Sequence, residues 1–437
     1  MTALSLDRTN LDMRRGACPT LSAPMRTGDG LLSRIALTEP VAPSQLAAVC
    51  RLAEKYGNGI IDISARGNLQ VRGLNETTAL LLESDIRAML LPLREGLAVE
   101  VPPLAGLDET EIADPRPLAE AIRDGARGIG GLAPKMSVVV DGSGRFGLSE
   151  LLADIRLVAI RTENDIRWQV LLGGTEAAGR VHGIHGEADA VSETLALLRR
   201  LGSLGEKARG RDLATDAMPL KKNAGNTSTP FELIPLEGGL FALGIGPAFG
   251  QMKAAMLAAL CLEAEQLGIR SVTPAAGHCL LFFGSNSACR HLSQSAELAG
   301  FITSPTDARS MIAACPGSPA CTSAMLETHA LAATVAVECL PLLDGSFTLH
   351  VSGCPKGCAH PHPSALTLYG TPDGLSLTTG TAAEQPYASI SKESAASSLR
   401  RLADLVQGER RIGENSAACL ARLGPDRLAA HLTSGQP

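Results

Sequence analysis

Apolar and polar positions alternate along this chain in two textures, and the same order of textures occurs twice. Ala47–Gly57 (AAVCRLAEKYG) places apolar residues three and four apart, which predicts a helix with one buried face. Shorter apolar runs bounded by glycine predict strands. They include the stretch closing at Gly73, the VVVDG run ending at Gly142, RLVAI from Arg156, and Phe347 to Val351. Adding 211 to a residue number in the first half often lands on a similar residue in the second. Ala47–Gly57 falls on Ala258–Gly268 (AALCLEAEQLG), Gly73 on Gly284, Gly106 on Gly317 and Gly142 on Gly353. The shift holds across all four segments without a gap, so each half is expected to be one copy of a single unit.

Each copy opens with strand, helix, strand (31–73 and 240–284), followed by a loop, a helix and further strands. The stretch from Ser203 to Pro230 is rich in Gly, Asn, Thr and charge and is expected to join the copies. The fold class expected is α+β, with two pseudo-symmetric halves facing each other across a central site. One motif competes with this picture. Gly142-Ser-Gly-Arg-Phe-Gly147 is a GxGxxG after a strand, with Glu163 about twenty residues on. A dinucleotide site needs a helix to follow the loop, and there is room for only about eight residues before RLVAI begins. Register places the loop instead on Gly353-Cys-Pro-Lys-Gly-Cys358, as its counterpart without thiols.

Composition sets the limits. The chain has 437 residues, 45% hydrophobic and only 3% aromatic, so Ala, Leu, Val and Ile must supply most of the packing. Net charge is −6 with no basic tail, which argues against a nucleic-acid partner, since binding needs clustered Lys and Arg. The first fifteen residues lack an apolar core like that of a secretory signal, and no window is long and apolar enough to span a membrane. The expected location is the cytoplasm. Thiols stay reduced there, so the eleven cysteines are not a disulfide framework. Cys50, Cys261, Cys279 and Cys339 sit in apolar runs and are expected to be small buried hydrophobes.

Four cysteines do not fit that description. Cys315 and Cys321 lie in ACPGSPAC, and Cys354 and Cys358 in HVSGCPKGCAHP; both segments are rich in Gly and Pro. Loops of this kind let the backbone approach inorganic sulfide and offer it free amides. Four thiolates are what a 4Fe–4S cubane requires. Structural zinc is the competing ligand, but it favours a tighter hook than Cys-x5-Cys at each end. His350, His360 and His362 flank the second loop, and His182 and His185 lie three apart. Each group is a candidate to ligate iron, or in the first case to relay protons, with ordinary hydrogen-bonded histidines as the plain alternative.

Cys-x5-Cys followed by HVSGCPxxC, on a duplicated chain with a linker, resembles the sulfite and nitrite reductase family. The resemblance runs from about Arg15 to Gly370. It implies a 4Fe–4S cluster on Cys315, Cys321, Cys354 and Cys358, coupled in that family to siroheme. It also implies a ferredoxin-like piece and a mixed α/β piece in each half. The expected divisions are 1–85 and 86–202 for the first half, a linker over 203–230, then 231–300 and a cluster-bearing 301–437.

ARGNLQVRG (Ala65–Gly73) resembles the family's strand with an arginine for siroheme carboxylates or the substrate anion, and LAPKMSVVVDG its basic strand. Reductases of sulfite or nitrite use two Arg and two Lys over the haem. Here Arg66 and Lys135 match one of each, Ser137 stands at the second Lys, and AVEVPPLAGL has no Arg. An anion that takes up electrons and protons needs that field, so its loss argues against anion reduction.

RRGACPTLSAPMRTGDGLL, PLAGLD, PKMSVVVDGSGR and HVSGCPKGCAHPHPSALTLYG resemble a narrower branch, the precorrin-3B synthases of aerobic cobalamin biosynthesis. That resemblance implies a tetrapyrrole, precorrin-3A, as substrate together with dioxygen. Carbon 20 is hydroxylated and a ring-A acetate closes as a γ-lactone. An external donor, an NADH-linked reductase or a ferredoxin or flavodoxin, completes the electron balance. The branch is also associated with a mononuclear non-haem iron, which no motif places here. The substrate's carboxylates call for guanidinium groups. Arg66 and Arg72, six apart, are expected on one face of one strand. With Lys135 and Arg145 they are the candidate substrate ligands, the plain alternative being solvated surface charges. Arg15, Arg26 and Lys356 are further, weaker candidates.

Overall fold

The computed structural model describes residues 19–163, 165–214, 230–360 and 362–433. Arg15 and most of the joining stretch, 215–229, lie outside them. The N-terminal half opens with β1 (Met25–Thr27), β2 (Gly30–Ile35), helix α1 (Pro43–Tyr56), β3 (Ile60–Ile63), β4 (Leu69–Leu74) and α2 (Glu76–Ala88). Its strands form an antiparallel sheet in the order β1-β2-β4-β3. A second sheet follows from β5 (Ala98–Glu100), β6 (Ser137–Asp141), β7 (Ile155–Arg161), β8 (Ile166–Leu172) and β9 (Arg180–His185), with α3 (Arg116–Gly125) and α4 (Glu187–Leu204). These strands pair in sequence order, twice parallel and then twice antiparallel.

The C-terminal half repeats the plan. It runs through β10 (Leu233–Pro235), β11 (Phe241–Ile245), β12 (Gln251–Lys253), α5 (Ala254–Gln266), β13 (Ser271–Ala275), β14 (Cys279–Gly284) and α6 (Asn286–Leu298). Then come β15 (Ile312–Ala314), α7 (Thr328–Glu338), β16 (Leu349–Ser352), β17 (Ser364–Thr371), β18 (Gly374–Gly380), β19 (Ala388–Ile390), α8 (Ala395–Glu409) and α9 (Ser416–Thr433). The first sheet has the order β10-β11-β14-β13. The second, β15 to β19, again pairs twice parallel and twice antiparallel.

The offset read from the sequence is also the offset of the pairing register. Ile61 pairs with Val71 and Val272 with Phe282; Val139 pairs with Arg156 and His350 with Thr367. The buried residues of α1 are Pro43, Leu46, Ala47, Val49, Cys50 and Ala53, and those of α5 are Ala254, Leu257, Ala258, Leu260, Cys261 and Ala264. Every pair is 211 apart, because both helices present one apolar stripe to the same kind of sheet. The two helices also pack on each other, and one core runs through both ferredoxin-like sheets from Ile35 and Leu69 to Leu280 and Phe282. Each Leu or Ile fully buried there contributes about 1.5–3 kcal/mol.

The halves exchange edges as well. Met252 of β12 pairs with Ile61, so β12 adds to the sheet of the other half. Its counterpart Val41 bridges Val272 in return. The backbone groups of each edge are thereby satisfied across the pseudo-twofold.

Several sequence expectations shift. The strand expected to close at Gly73 is the second arm of a hairpin, because Arg66 and Gly67 turn the chain, Gly67 with φ +70°. The helix after ACPGSPAC starts only at Thr328, since 322–327 belong to the cysteine loop. The first helix-bearing piece runs through Ala88, three residues past the expected division, and Ser203 still lies in α4. No helix follows Gly142–Gly147, so the GxGxxG has no dinucleotide site to open. Among the described residues no helix is long and apolar enough to cross a membrane.

Candidate functional site

The four cysteines of the motif come together on two loops of the C-terminal half. Cys315 follows β15, and Cys354 follows β16, its parallel neighbour. The ends of parallel strands open side by side, so the loops after them face one another. Glycines let them close. Gly317 has φ +65° and leaves no room for a side chain against Thr328. A Cβ on Gly353 would stand 2.6 Å from that of Ala324. The Thr328 hydroxyl donates to the Cys315 carbonyl, Ser352 Oγ to the Cys354 carbonyl at 2.7 Å, and Met325 N–H to the Gly353 carbonyl at 2.7 Å.

These contacts fit an iron–sulfur cluster. Gly353 N–H donates to Cys315 Sγ at 3.1 Å, the kind of amide–sulfur bond that stabilises thiolate charge. Burial raises the Cys358 thiol first, and the charges of Cys354, Cys315 and Cys321 raise it further, so all four sulfurs share one electrostatic neighbourhood. Lys356 acts in the opposite sense and reaches Ser323 Oγ at 2.8 Å. Among the described residues no three His, Cys, Asp or Glu converge closely enough for a single ion. A tetrahedral zinc with bonds of about 2.3 Å draws its sulfurs within roughly 4 Å of each other. A cubane spreads its four thiolates around a larger core.

Cys50, Cys261, Cys279 and Cys339 are fully buried, as expected of packing cysteines. Burial pushes the Cys50 thiol up to about 12 and raises the other three as well.

A cavity of about 210 Å³ separates the halves beside this centre. Asp62, Ile63, Ser64, Ala65 and Gln70 line it from the N-terminal half. Phe249, Gln251, His278, His329, Cys315 and Cys358 line it from the other. No Arg or Lys is among the lining residues. His278 Nδ1 lies 2.6 Å from the Ile63 carbonyl, which fixes the proton on Nδ1 and makes Nε2 the acceptor. Burial lowers His278 and His329, so both imidazoles are neutral near pH 7. Sequence reading missed these two and Asp62. His278 sits in the hairpin turn matching Arg66–Gly67 by the 211 offset, which was the signal available for it.

The four basic residues named as substrate ligands are not gathered around the cavity. Arg66 precedes β4, so it does not share a strand face with Arg72; it donates to the Leu152 carbonyl. Arg72 is only 3% exposed and is held by Asp29 at 2.9 Å and Asp62 at 2.8 Å. Burial pulls its pKa down, but these carboxylates more than offset that and raise it. Lys135 is exposed in the turn before β6. Arg145 lies in the thiol-free loop, its backbone N–H on Asp108 at 2.6 Å and its guanidinium 3.6 Å from the same carboxylate. Arg26 lies 3.8 Å from Glu76 on the surface.

The histidine candidates also separate. His182 and His185 sit on β9, where the pairing with β8 skips His182 while His185 lies opposite Trp168, and His182 bonds Glu193 at 2.8 Å. His350 is fully buried with neither ring nitrogen partnered. Burial first, then His360, lowers it to about 4. Its ring lies 5.8 Å from that of His360, which lies 5.8 Å from His362.

Comparison with known proteins fits this architecture. Residues 24–89 match the nitrite/sulfite reductase ferredoxin-like half domain. The solved structure of the Mycobacterium tuberculosis NirA protein superposes with a TM-score of 0.71, covering 91% of this chain and 84% of that one at 16% identity, which speaks for the fold alone. A ferredoxin–nitrite reductase of Synechococcus elongatus is 23% identical over 78% of this chain and 76% of its own length. A precorrin-3B synthase of a Sinorhizobium species is 42% identical over 98% of this chain and 96% of its own length. With that identity over nearly the full length of both proteins, on the duplicated architecture described above, the chain belongs to the precorrin-3B synthase family.

Proposed function

We propose that this chain catalyses the oxygen-dependent hydroxylation and γ-lactone formation of precorrin-3A in aerobic cobalamin biosynthesis, in the cytoplasm. The observation that carries the choice is the cleft itself. It brings Cys315 and Cys358 beside a wall of Asp62, Gln70, Gln251 and two neutral histidines, with no Arg or Lys among its lining residues. An oxyanion reduced in place needs fixed positive charge around it. A macrocycle edge needs apolar surface and a few directed polar groups. At about 210 Å³ the cavity seats only part of a tetrapyrrole, so the carboxylate-bearing rim extends past it. Arg66, next to the lining residue Ala65, is the cation nearest in sequence to that wall.

In this reading Cys315, Cys321, Cys354 and Cys358 hold a 4Fe–4S cluster, which supplies one-electron transfer when bound. One oxygen atom of dioxygen enters the macrocycle as the carbon-20 hydroxyl and the other leaves as water. Two electrons and two protons must therefore reach the cleft, the electrons from an external NADH-linked reductase, ferredoxin or flavodoxin. The neutral imidazoles of His278 and His329 are the groups in place to hold a proton there, with His278 fixed by the Ile63 carbonyl. Among the described residues no group of three His, Cys, Asp or Glu is placed to hold a separate mononuclear iron.

The test is anaerobic purification, an optical spectrum, and turnover of precorrin-3A under labelled dioxygen with mass analysis. The reading expects a broad cluster absorbance and one labelled oxygen in the product. Siroheme bands with rapid reduction of sulfite or nitrite, and no precorrin turnover, would replace it with the reductase.

A further inference from the structure

We infer that Arg72 is a positioning residue for the cysteine loop, through which the N-terminal half fixes the backbone next to Cys321. The inference rests on the cluster reading above. Arg72 Nη2 donates to the carbonyl of Ala320, the residue before Cys321, at 3.1 Å. Gly28 N–H donates to the same carbonyl at 3.0 Å. Both donors belong to the N-terminal half, while the loop and all four cysteines belong to the other. One peptide group is thus held twice from across the molecule. Gly28 has no room for a Cβ against the Pro319 carbonyl, so the β1–β2 turn packs directly on the loop.

The guanidinium is itself held rigidly. Nε and Nη2 reach Asp29 at 2.9 and 3.1 Å, and Nη1 reaches Asp62 Oδ2 at 2.8 Å. Asp62 Oδ1 takes Gln251 Nε2 at 2.7 Å, and Asp62 and Gln251 both line the cleft. A single side chain therefore joins the cleft wall to the loop carrying two of the candidate thiolates. A lysine in its place keeps the charge but loses the planar fork, and cannot serve two carboxylates and a carbonyl with the same geometry. Burial of one cation between two carboxylates also explains why Arg72 is not available to a substrate.

The experiment compares wild type, Arg72→Lys and Gly28→Ala, purified and reconstituted anaerobically. Iron and sulfide per chain, the rate of cluster bleaching by a chelator, and the electron paramagnetic resonance of the reduced cluster are measured. Losing the bond from the charged Arg72, at 1.4 kcal/mol per tenfold, should speed bleaching about tenfold in Arg72→Lys, and the Gly28→Ala methyl, built 2.4 Å from the Pro319 carbonyl, should push the loop away and speed bleaching as well. The resonance should change shape in both, which general loosening of the fold would not produce. Arg72→Met alone leaves two buried carboxylates unpaired and is expected to fold poorly. The triple variant Asp29→Asn, Asp62→Asn, Arg72→Met removes the whole network and should fold, with the same rapid bleaching. Variants that bleach at the wild-type rate with an unchanged resonance overturn the inference alone. Wild-type protein that takes up no iron or sulfide overturns the cluster reading, and the inference with it.

Discussion

Gly353→Ala is the sharpest test of how the two cysteine loops are held together. The added methyl would meet Ala324 Cβ at 2.6 Å and Ala324 Cα at 3.2 Å, and Gly317 Cα at 3.5 Å. Both neighbours belong to the opposite loop, so the clash acts along the line that separates Cys315 from Cys354. Overpacking of this kind costs about 1–3 kcal/mol. If the loops part, the Gly353 N–H bond to Cys315 Sγ, now 3.1 Å, is lost too. A bond to a charged acceptor is worth a further ~1.5–3 kcal/mol. The control is built into the duplication. Gly142 is the counterpart of Gly353, and its Cβ would strike the carbonyl of Ala113, itself the counterpart of Ala324. Both variants should lose several degrees of melting temperature, since 1 kcal/mol corresponds to roughly 2–4 °C in a domain of this size. Only Gly353→Ala should lose iron and sulfide. The measurements are iron and sulfide per chain and thermal unfolding on the same anaerobic samples. A Gly353→Ala protein with a full cluster, or a Gly142→Ala protein that loses it, would refute the reasoning.

Replacing any one of Cys315, Cys321, Cys354 or Cys358 with Ala should abolish the ~400 nm absorbance and the activity, while Cys50→Ala should leave the cluster and cost only packing; iron analysis checks both. Glu111 is raised to about 7, first by burial and then by Asp114, Asp108 and Asp141, against the pull of the Gly106 amide. Its folded state binds the proton more tightly than the unfolded chain, so its contribution is full below about pH 4.5 and is lost as pH rises through 7. Glu111→Gln should therefore raise the melting temperature at pH 8 and change it little at pH 4; an equal effect at both would count against the shift. Sulfite and nitrite should be reduced slowly with a dye donor, and fast turnover would count against a cleft without Arg or Lys in its lining.

The fold was legible in the sequence to an unusual depth because it was written twice. A helix stripe alone would not have given the architecture, but Cys50 and Cys261 in matching stripes 211 apart did, down to the strand register. The cysteine loops were legible for a chemical reason, since no buried packing role explains thiols among Gly and Pro. The basic residues misled because charge on a strand does not say where it is paired. Arg66 and Arg72 have even spacing, yet Gly67 turns the chain between them, and Asp29, forty-three residues earlier, claims Arg72. Partners so distant leave no local pattern. His278 was hidden for a similar reason, as its neighbour Ile63 comes from the other half.

Why the centre is built once on a scaffold built twice follows from the same correspondence. Residues Leu104, Thr110, Ser143 and Gly147 stand where the second half has Cys315, Cys321, Cys354 and Cys358. The backbone is retained around them: Gly106 keeps φ +69° where Gly317 has φ +65°, and Gly142 packs on residue 113 as Gly353 packs on residue 324. What changes is the filling. Asp108 accepts from the Arg145 and Thr110 amides, and Asp141 from the Ser143 and Leu148 amides, so carboxylates satisfy loop N–H groups in the thiol-free copy. A loop whose amides are spent on Asp has none left to offer inorganic sulfide. Restoring four cysteines to the first half would therefore not restore a cluster unless Asp108 and Asp141 were removed as well. The asymmetry leaves one face of the cleft for thiolates and the other for Asp62 and its neighbours, as a single macrocycle bound between unlike walls would need.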